Sequence, residues 1–270
     1  MRVPFVKMHG LGNDFIVLDA RADSVPVISG ALAVALADRH TGIGCDQLIL
    51  LETSRSADLR MRIFNHDGGE VEACGNASRA VGLLLGAAVQ IETLGGLLSV
   101  DPADGGVAVE LPAPRFEWDQ IPLAYAMDTH TLPVAWDTLD TPTAVNVGNP
   151  HVVFFVPDCG AVELDRLGPE IEHDPLFPER INVNIATIES RSRIRLRVWE
   201  RGVGETRACG TGACATAIGA MRRGLTDREV AVDLPGGELV IAWTEQGTIR
   251  MTGPAAESFR GDFDPGDYPA

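Results

Sequence analysis

Two stretches of the 270-residue chain place a cysteine in the same setting. FNHDGGEVEACGNASRA (64–80) and WERGVGETRACGTGACA (199–215) align without gaps at an offset of 135 residues. Gly69/Gly204, Glu70/Glu205, Ala73/Ala208, Cys74/Cys209, Gly75/Gly210 and Ala80/Ala215 are identical. In each copy a polar, glycine-containing turn ends at Cys-Gly, and small and apolar residues follow. This pattern predicts a largely buried helix that starts at each cysteine. A thiol there sits at the positive end of the helix dipole, beside N–H groups that lack intrahelical partners. Such a setting lowers a cysteine pKa from about 8.5 toward neutrality, and the same N–H groups suit a substrate carboxylate. Two such starts facing each other would flank one α-carbon. One thiolate would remove a proton while the opposite thiol donates one, which inverts the centre without a cofactor. Their protonation would be coupled. A lone cysteine is ordinarily a small buried hydrophobe; the duplicated setting separates Cys74 and Cys209 from that fate. Cys45, Cys159 and Cys214 lack this setting and read as packing residues. No metal site is expected: Cys209 and Cys214 stand about 140° apart around a helix, and no HExxH or CxxC spacing occurs.

The repeat extends beyond the cysteines. GND (12–14), leading into FIVLD, resembles GNP (148–150), leading into HVVFFV; IETLGGLLSV (91–100) resembles VDLPGGELVI (232–241), the offset having grown to 141. Residues 14–19 and 152–156 read as strands from their β-branched and aromatic content. Residues 59–64 and 194–199 alternate polar with apolar and read as half-buried strands. Glycine pairs at 95–96 and 236–237 mark hairpin turns. The fold expected is α+β: two pseudo-symmetric domains from an internal duplication, each a mixed or antiparallel β-sheet wrapped around a central helix. The halves are 1–112 and 113–254, with the tail 255–270 returning to the first. Residues 112–122, with three prolines, read as the linker, and the acidic, turn-rich end GDFDPGDYPA as frayed. Glu70 and Glu205 read as turn caps.

Composition excludes several classes. Hydrophobic residues at 45% and charged residues at 22% describe a chain with a real core. A net charge of −16 argues against nucleic acid, and no apolar run approaches the roughly 18–20 residues that span a bilayer. Five cysteines without an export-like segment read as reduced cytoplasmic thiols. Lys7 is the one lysine, which weighs against pyridoxal phosphate unless Lys7 itself holds it.

The motifs KMHGLGNDF (7–15), GCDQL (44–48), RIFNHDGGE (62–70), ACGNASR (73–79), GNPH (148–151), INVN (181–184), ERGVGETRACGTGACA (200–215) and MTGPA (251–255) resemble those of diaminopimelate epimerases. These are cofactor-independent amino-acid epimerases of lysine and peptidoglycan precursor biosynthesis. The resemblance covers nearly the whole chain. It implies epimerisation of L,L-diaminopimelate to the meso isomer, with Cys74 and Cys209 as the acid/base pair, Cys209 commonly attacking the L,L substrate. It implies substrate contacts from Asn13, Gln47, Asn65, Gly75, Asn76, Asn149, Asn182, Glu200, Arg201, Gly210 and Thr211. His151 and Glu200 match positions that tune the thiols. It also implies a homodimer, with Phe259 at the position of an interface aromatic. The residue types suit a ligand with an amino-acid group at each end: Arg201 can fork onto a carboxylate and Glu200 can accept from an ammonium.

Ala77, Cys45, His66 and Asn184 depart from the residues common in the family; none removes a proposed catalytic group. Related activities remain as alternatives: proline or hydroxyproline racemisation, and the phenazine-type isomerisation, whose enzymes generally lack the cysteine pair. A catalytically silent binding protein on the same scaffold is a further alternative, one that leaves the paired thiols without a role.

Overall fold

The computed structural model describes residues 2–22, 25–72 and 74–268. Ala73 of the repeat and the last two residues of the tail lie outside the described residues. The chain divides into two compact units, Met1–Val109 with Gly253–Ala270, and Glu110–Thr252.

The first unit contains β1 (Val3–Gly10), β2 (Asn13–Asp19), helix α1 (Gly30–Ala37), β3 (Gln47–Glu52), β4 (Leu59–Asn65), β5 (Glu70–Val71), helix α2 (Gly75–Leu85), β6 (Val89–Thr93), β7 (Gly96–Ala103) and β8 (Gly106–Leu111), which runs across the boundary between units. β1 is antiparallel to β2, β2 parallel to β3 with Phe15 opposite Gln47, and β3 antiparallel to β4 with Gln47 opposite Asn65. β4 pairs antiparallel with β5 and parallel with β6, and β6 antiparallel with β7.

The second unit opens with a small two-stranded sheet, β9 (Ala135–Trp136) and β10 (Leu139–Asp140). It continues with β11 (Thr143–Asn146), β12 (Pro150–Phe155), helix α3 (Leu164–Glu172), β13 (Asn182–Ser190), β14 (Arg193–Glu200), β15 (Gly204–Thr206), helix α4 (Gly210–Arg222), β16 (Glu229–Leu234), β17 (Gly237–Trp243) and β18 (Ile249–Gly253). Its pairings reproduce the first unit step for step. β11 is antiparallel to β12, β12 parallel to β13 with His151 opposite Asn182, and β13 antiparallel to β14. β14 pairs antiparallel with β15 and parallel with β16, and β16 antiparallel with β17. The duplication seen in the cysteine motifs is therefore a duplication of topology.

Each unit packs a helix against its sheet because the helix carries few charges. Residues 76–82 of α2 are buried, as are most of α4. α2 packs on β1, β2 and β7; α4 packs on β11–β14, β16 and β17. Cys45, Cys159 and Cys214 are buried packing residues, and all five cysteines are reduced.

Three expectations need correction. The C-terminal end is not frayed through its described part. β19 (Ala256–Phe263) pairs antiparallel with β1 along its length, and Phe263, buried, meets Tyr268 edge-to-face with ring centres 5.8 Å apart. Asp264 accepts from the Gly266 N–H and caps a short 3₁₀ turn there. The proline-rich 112–122 stretch is not a bare linker: Ile121 is in the second unit's core and Arg115 bridges to Asn146. Glu70 and Glu205 do not cap turns. Each forks onto an arginine across its hairpin, Arg62 Nε–Glu70 Oε1 at 2.7 Å and Arg197 Nε–Glu205 Oε1 at 2.8 Å. The arginines, like the glutamates, are 135 residues apart.

Candidate active site

Cys74 and Cys209 occupy the same local structure. Each is the N-cap of its helix with extended backbone, and each sulfur takes the role usually played by a serine oxygen. Cys74 Sγ accepts from the Ala77 N–H at 3.5 Å, and Cys209 Sγ accepts from the Gly212 N–H at 3.3 Å. Gly75 and Gly210 follow as first helical residues, where N–H groups point off the helix end rather than along it.

In the first unit, the parallel β2–β3 pair and the antiparallel β3–β4 pair bring Asn13, Gln47 and Asn65 to neighbouring strand ends, with Asn13 against the start of α2. Gln47 Nε2 donates to Asn65 Oδ1 at 2.9 Å, and Gln47 Oε1 is buried with no partner among the described residues. The Cys74 thiol lies 3.8 Å from Asn13 Oδ1, which also accepts from Asn76 Nδ2 at 3.2 Å. Asn13 Nδ2 donates to Asp46 at 2.9 Å, and Asn76 Oδ1 accepts from the fully buried Arg79 at 2.8 Å. Behind Asp46 stand Arg39, which bridges Asp14 and Asp46 at 2.7 Å each, and Lys7, which is buried against Asp14 and the Gly44 carbonyl. Burial alone would raise Asp14, but the hydrogen bonds and charges of Arg39 and Lys7 outweigh it and hold the carboxyl well below its usual range. The lone lysine thus has a structural partner.

In the second unit the same strand positions carry Asn149, Asn182 and Glu200. Asn182 Nδ2 donates to the Pro150 carbonyl at 2.8 Å, and its Oδ1 accepts the Arg201 N–H at 3.0 Å. The Arg201 guanidinium reaches the Glu179 carbonyl at 2.9 Å. His151, fully buried, lies between Asn149 Oδ1 at 2.9 Å and Asn184 Nδ2 at 3.1 Å. Asn184 Nδ2 also donates to the Val152 carbonyl at 3.1 Å, which fixes its nitrogen on that side. His151 Nδ1 is therefore the acceptor and Nε2–H the donor to Asn149. Burial, with the charge of Arg201 adding to it, brings the imidazole pKa down to about 3.

The thiol at the second helix start behaves differently from the sequence expectation. Burial and the neighbouring Glu200 carboxylate push Cys209 well above the ordinary thiol range, against the lowering by Thr211 and the Gly212 N–H. Thr211 Oγ1 is 3.5 Å from Cys209 Sγ, and Glu200 accepts from Thr206 Oγ1. The dipole of the helix start does not overcome desolvation together with a like charge. Burial and the Glu200 charge thus favour the protonated form of Cys209.

The predicted residues thus fall into two groups: Asn13, Gln47, Asn65, Cys74, Gly75 and Asn76 in the first unit; Asn149, His151, Asn182, Glu200, Arg201, Cys209, Gly210 and Thr211 in the second. Phe259 stands on β19, half-exposed and edge-to-face with Phe5 at 6.0 Å. Sequence reasoning passed over Asp46 and Arg79. Asp46 lies inside GCDQL, and Arg79 is a charge in an otherwise uncharged helix, standing where the second copy has Cys214.

The architecture is shared with solved isomerases and their relatives. A phenazine biosynthesis protein of the PhzF family from Enterococcus faecalis superposes with a TM-score of 0.75 over 98% of this chain and 100% of that one, at 13% identity. A hydroxyproline epimerase from Agrobacterium vitis, solved with trans-4-hydroxy-L-proline, gives 0.67 over 97% and 92%, at 16% identity. These define the fold class. The family model for diaminopimelate epimerase matches residues 5–116 and 143–257. The diaminopimelate epimerase of Erythrobacter litoralis is 70% identical over 99% of this chain and 100% of its own, and that of Rhizorhabdus wittichii 65% identical over 98% and 96%. The chain belongs to the diaminopimelate epimerase family.

Proposed function

We propose that this chain carries out its family's reaction, epimerising L,L-diaminopimelate to the meso isomer, with Cys74 and Cys209 as the two acid/base groups and no cofactor. The observation that carries the residue assignment is the equivalence of the two cysteines. Each is a helix N-cap, in matching places of a duplicated topology, with its sulfur accepting from the third N–H of its helix. The halves 1–112, with 255–270, and 113–254 each supply one thiol. The Cα–H bond breaks as its proton passes to a thiolate, and the electron pair is left on Cα beside the carboxylate. The opposite thiol then delivers its proton to the other face. By the family resemblance Cys209 attacks the L,L substrate and Cys74 delivers the proton, and the roles exchange when the reaction reverses.

The remaining groups are suited to a ligand bearing an amino-acid head at each end. Gly75, Asn76, Gly210 and Thr211 at the helix starts would hold the reacting carboxylate. Glu200 and Arg201, with the amides of Asn13, Gln47, Asn65, Asn149 and Asn182, would read the ammonium and carboxylate groups. A racemase acting on an amino acid with one head has no use for the Glu200–Arg201 pair. His151 and Glu200 would tune the thiols.

Each of Cys74→Ala and Cys209→Ala is expected to lower turnover of L,L-diaminopimelate at least 100-fold, whereas the wild-type protein exchanges the substrate α-hydrogen in D₂O. Near-normal turnover by either variant would end the two-thiol reading, and absence of exchange would leave only a binding protein. The exposed Phe259 supports a homodimer through the β19 face; Phe259→Asp is expected to give a monomer by light scattering. Five reduced cysteines suit action in the cytoplasm, and no helix among the described residues is long and apolar enough to cross a membrane.

A further inference from the structure

We propose that Asp46 and Arg79 are positioning residues that lock the Asn13 side chain with its carbonyl oxygen toward the Cys74 thiol. This inference rests on Cys74 being one of the two acid/base groups.

The argument is one of hydrogen-bond direction. An ionised carboxylate only accepts and a guanidinium only donates, whereas an asparagine amide does either, depending on which way it is turned. At one end of the chain of contacts, Asp46 Oδ2 faces Asn13 at 2.9 Å, so the Asn13 nitrogen must point to it. At the other end, Arg79 faces Asn76 at 2.8 Å, so the Asn76 oxygen must point to it and the Asn76 nitrogen to Asn13. Both ends demand the same orientation of Asn13. Its Oδ1 is left accepting, 3.8 Å from Cys74 Sγ. A flipped Asn13 would present a donor to Asn76 Nδ2 and an acceptor to Asp46, leaving two mismatches.

The locked oxygen matters to the sulfur. The Ala77 N–H at 3.5 Å favours thiolate, while an acceptor oxygen is satisfied only by S–H. The Cys74 sulfur thus meets one group that suits its thiolate and one that suits its thiol, as a group that must both take and give a proton requires. The charged groups joined to Asn13 through this network are Asp46, Arg39, Asp14 and Lys7 on one side and Arg79 on the other. Asp46 Oδ2 also accepts the Asp14 N–H at 3.1 Å, and its Oδ1 takes Arg39 at 2.7 Å. A single amide oxygen in place of Oδ2 would therefore preserve the hold on Asn13 and surrender only Arg39, which keeps Asp14 as a partner.

The test is the pH dependence of iodoacetamide alkylation at Cys74, followed by peptide mass spectrometry in the full-length protein, with Cys209 as the internal control. Asn13→Leu, which removes the oxygen, is expected to shift the Cys74 profile to lower pH, alkylation below the midpoint rising about 10-fold, one pH unit. Asp46→Ala, which frees one end of the lock, is expected to give about 3-fold in the same direction. Asp46→Asn is expected to stay within 2-fold of wild type. If Asp46→Asn shifted as far as Asp46→Ala, the carboxylate would act by charge alone and the lock would be refuted. An unchanged Cys74 profile in Asn13→Leu, or an equal shift at Cys209, would also overturn it. Should Asp46→Ala fail to fold, the comparison of Asn13→Leu with Asp46→Asn still decides. The readout does not depend on turnover. A wrong lock therefore shows in alkylation while Cys74→Ala is still inactive, and a wrong two-thiol reading shows in the activity of Cys74→Ala.

Discussion

His151 and Glu200 differ in what they contribute to the electrostatics of the second unit. The imidazole is withdrawn from solvent and kept neutral, its pKa brought down to about 3 by burial first. An unfolded histidine titrates near 6.5. Between these values the unfolded chain binds a proton that the folded chain does not. The stability contributed is therefore complete above about pH 6.5 and declines toward pH 3, by up to about 1.4 kcal/mol per pH unit. Replacing His151 with Gln is expected to flatten this part of the profile in urea unfolding between pH 7 and 4; an unchanged slope would assign the acid sensitivity elsewhere. Glu200 acts on the sulfur directly. Because its charge raises Cys209, Glu200→Gln is expected to move the alkylation midpoint of Cys209 to lower pH and leave that of Cys74 in place. Cys74 and Cys209 were legible in sequence because they repeat in one setting, and the other candidate residues because they stand in motifs that resemble those of diaminopimelate epimerases. The direction of the Cys209 shift was not, since the helix dipole is visible in a motif whereas burial and the approach of Glu200 depend on β14, β15 and α4 meeting. Nor was the partnership of Asn184 with His151 readable, because it arises from the parallel register of β12 and β13.

At the scale of elements, the residue whose N–H meets the sulfur differs between the two helix starts, Ala77 against Gly212. A methyl on Gly212 would lie 2.8 Å from Asn184 Oδ1 and 3.0 Å from a Val198 methyl, whereas Ala77 is already buried in place. Gly212→Ala is expected to cost about 1–3 kcal/mol of stability by overpacking. It should also lower kcat/KM, because the residue's N–H is the one that Cys209 Sγ accepts. Ala77→Gly should cost about 1 kcal/mol through helix propensity, with the loss of a buried methyl adding to it. Thermal unfolding with steady-state kinetics distinguishes the two effects. Elements with a strong period were readable in advance: 59–64 and 194–199 became β4 and β14, and the glycine pairs at 95–96 and 236–237 stand at the turns before β7 and β17. The β19 strand was not. AESFRGDF is mostly exposed, with Glu, Arg and Asp interleaved among small and aromatic residues, so its strand character comes from pairing with β1 rather than from any pattern of its own.

For the molecule as a whole, the first unit uses both ends of the chain. β1 has β2 on one side and β19 on the other, from Val3 opposite Phe263 to His9 opposite Ala256. Truncation after Pro254 is expected to expose the length of β1 and bring down the unfolding temperature of the first unit, while the second, which is continuous in sequence, keeps its own transition. Equal loss of both transitions in calorimetry would contradict this. The same feature orders events during synthesis. Chains ordinarily fold domain by domain from the N-terminus as they emerge. Here the half translated first waits for β19, which is made only after the whole of the second half, and the half translated second has everything it needs sooner. The first thiol is made early, but the unit around it closes only after the second thiol's unit is already whole.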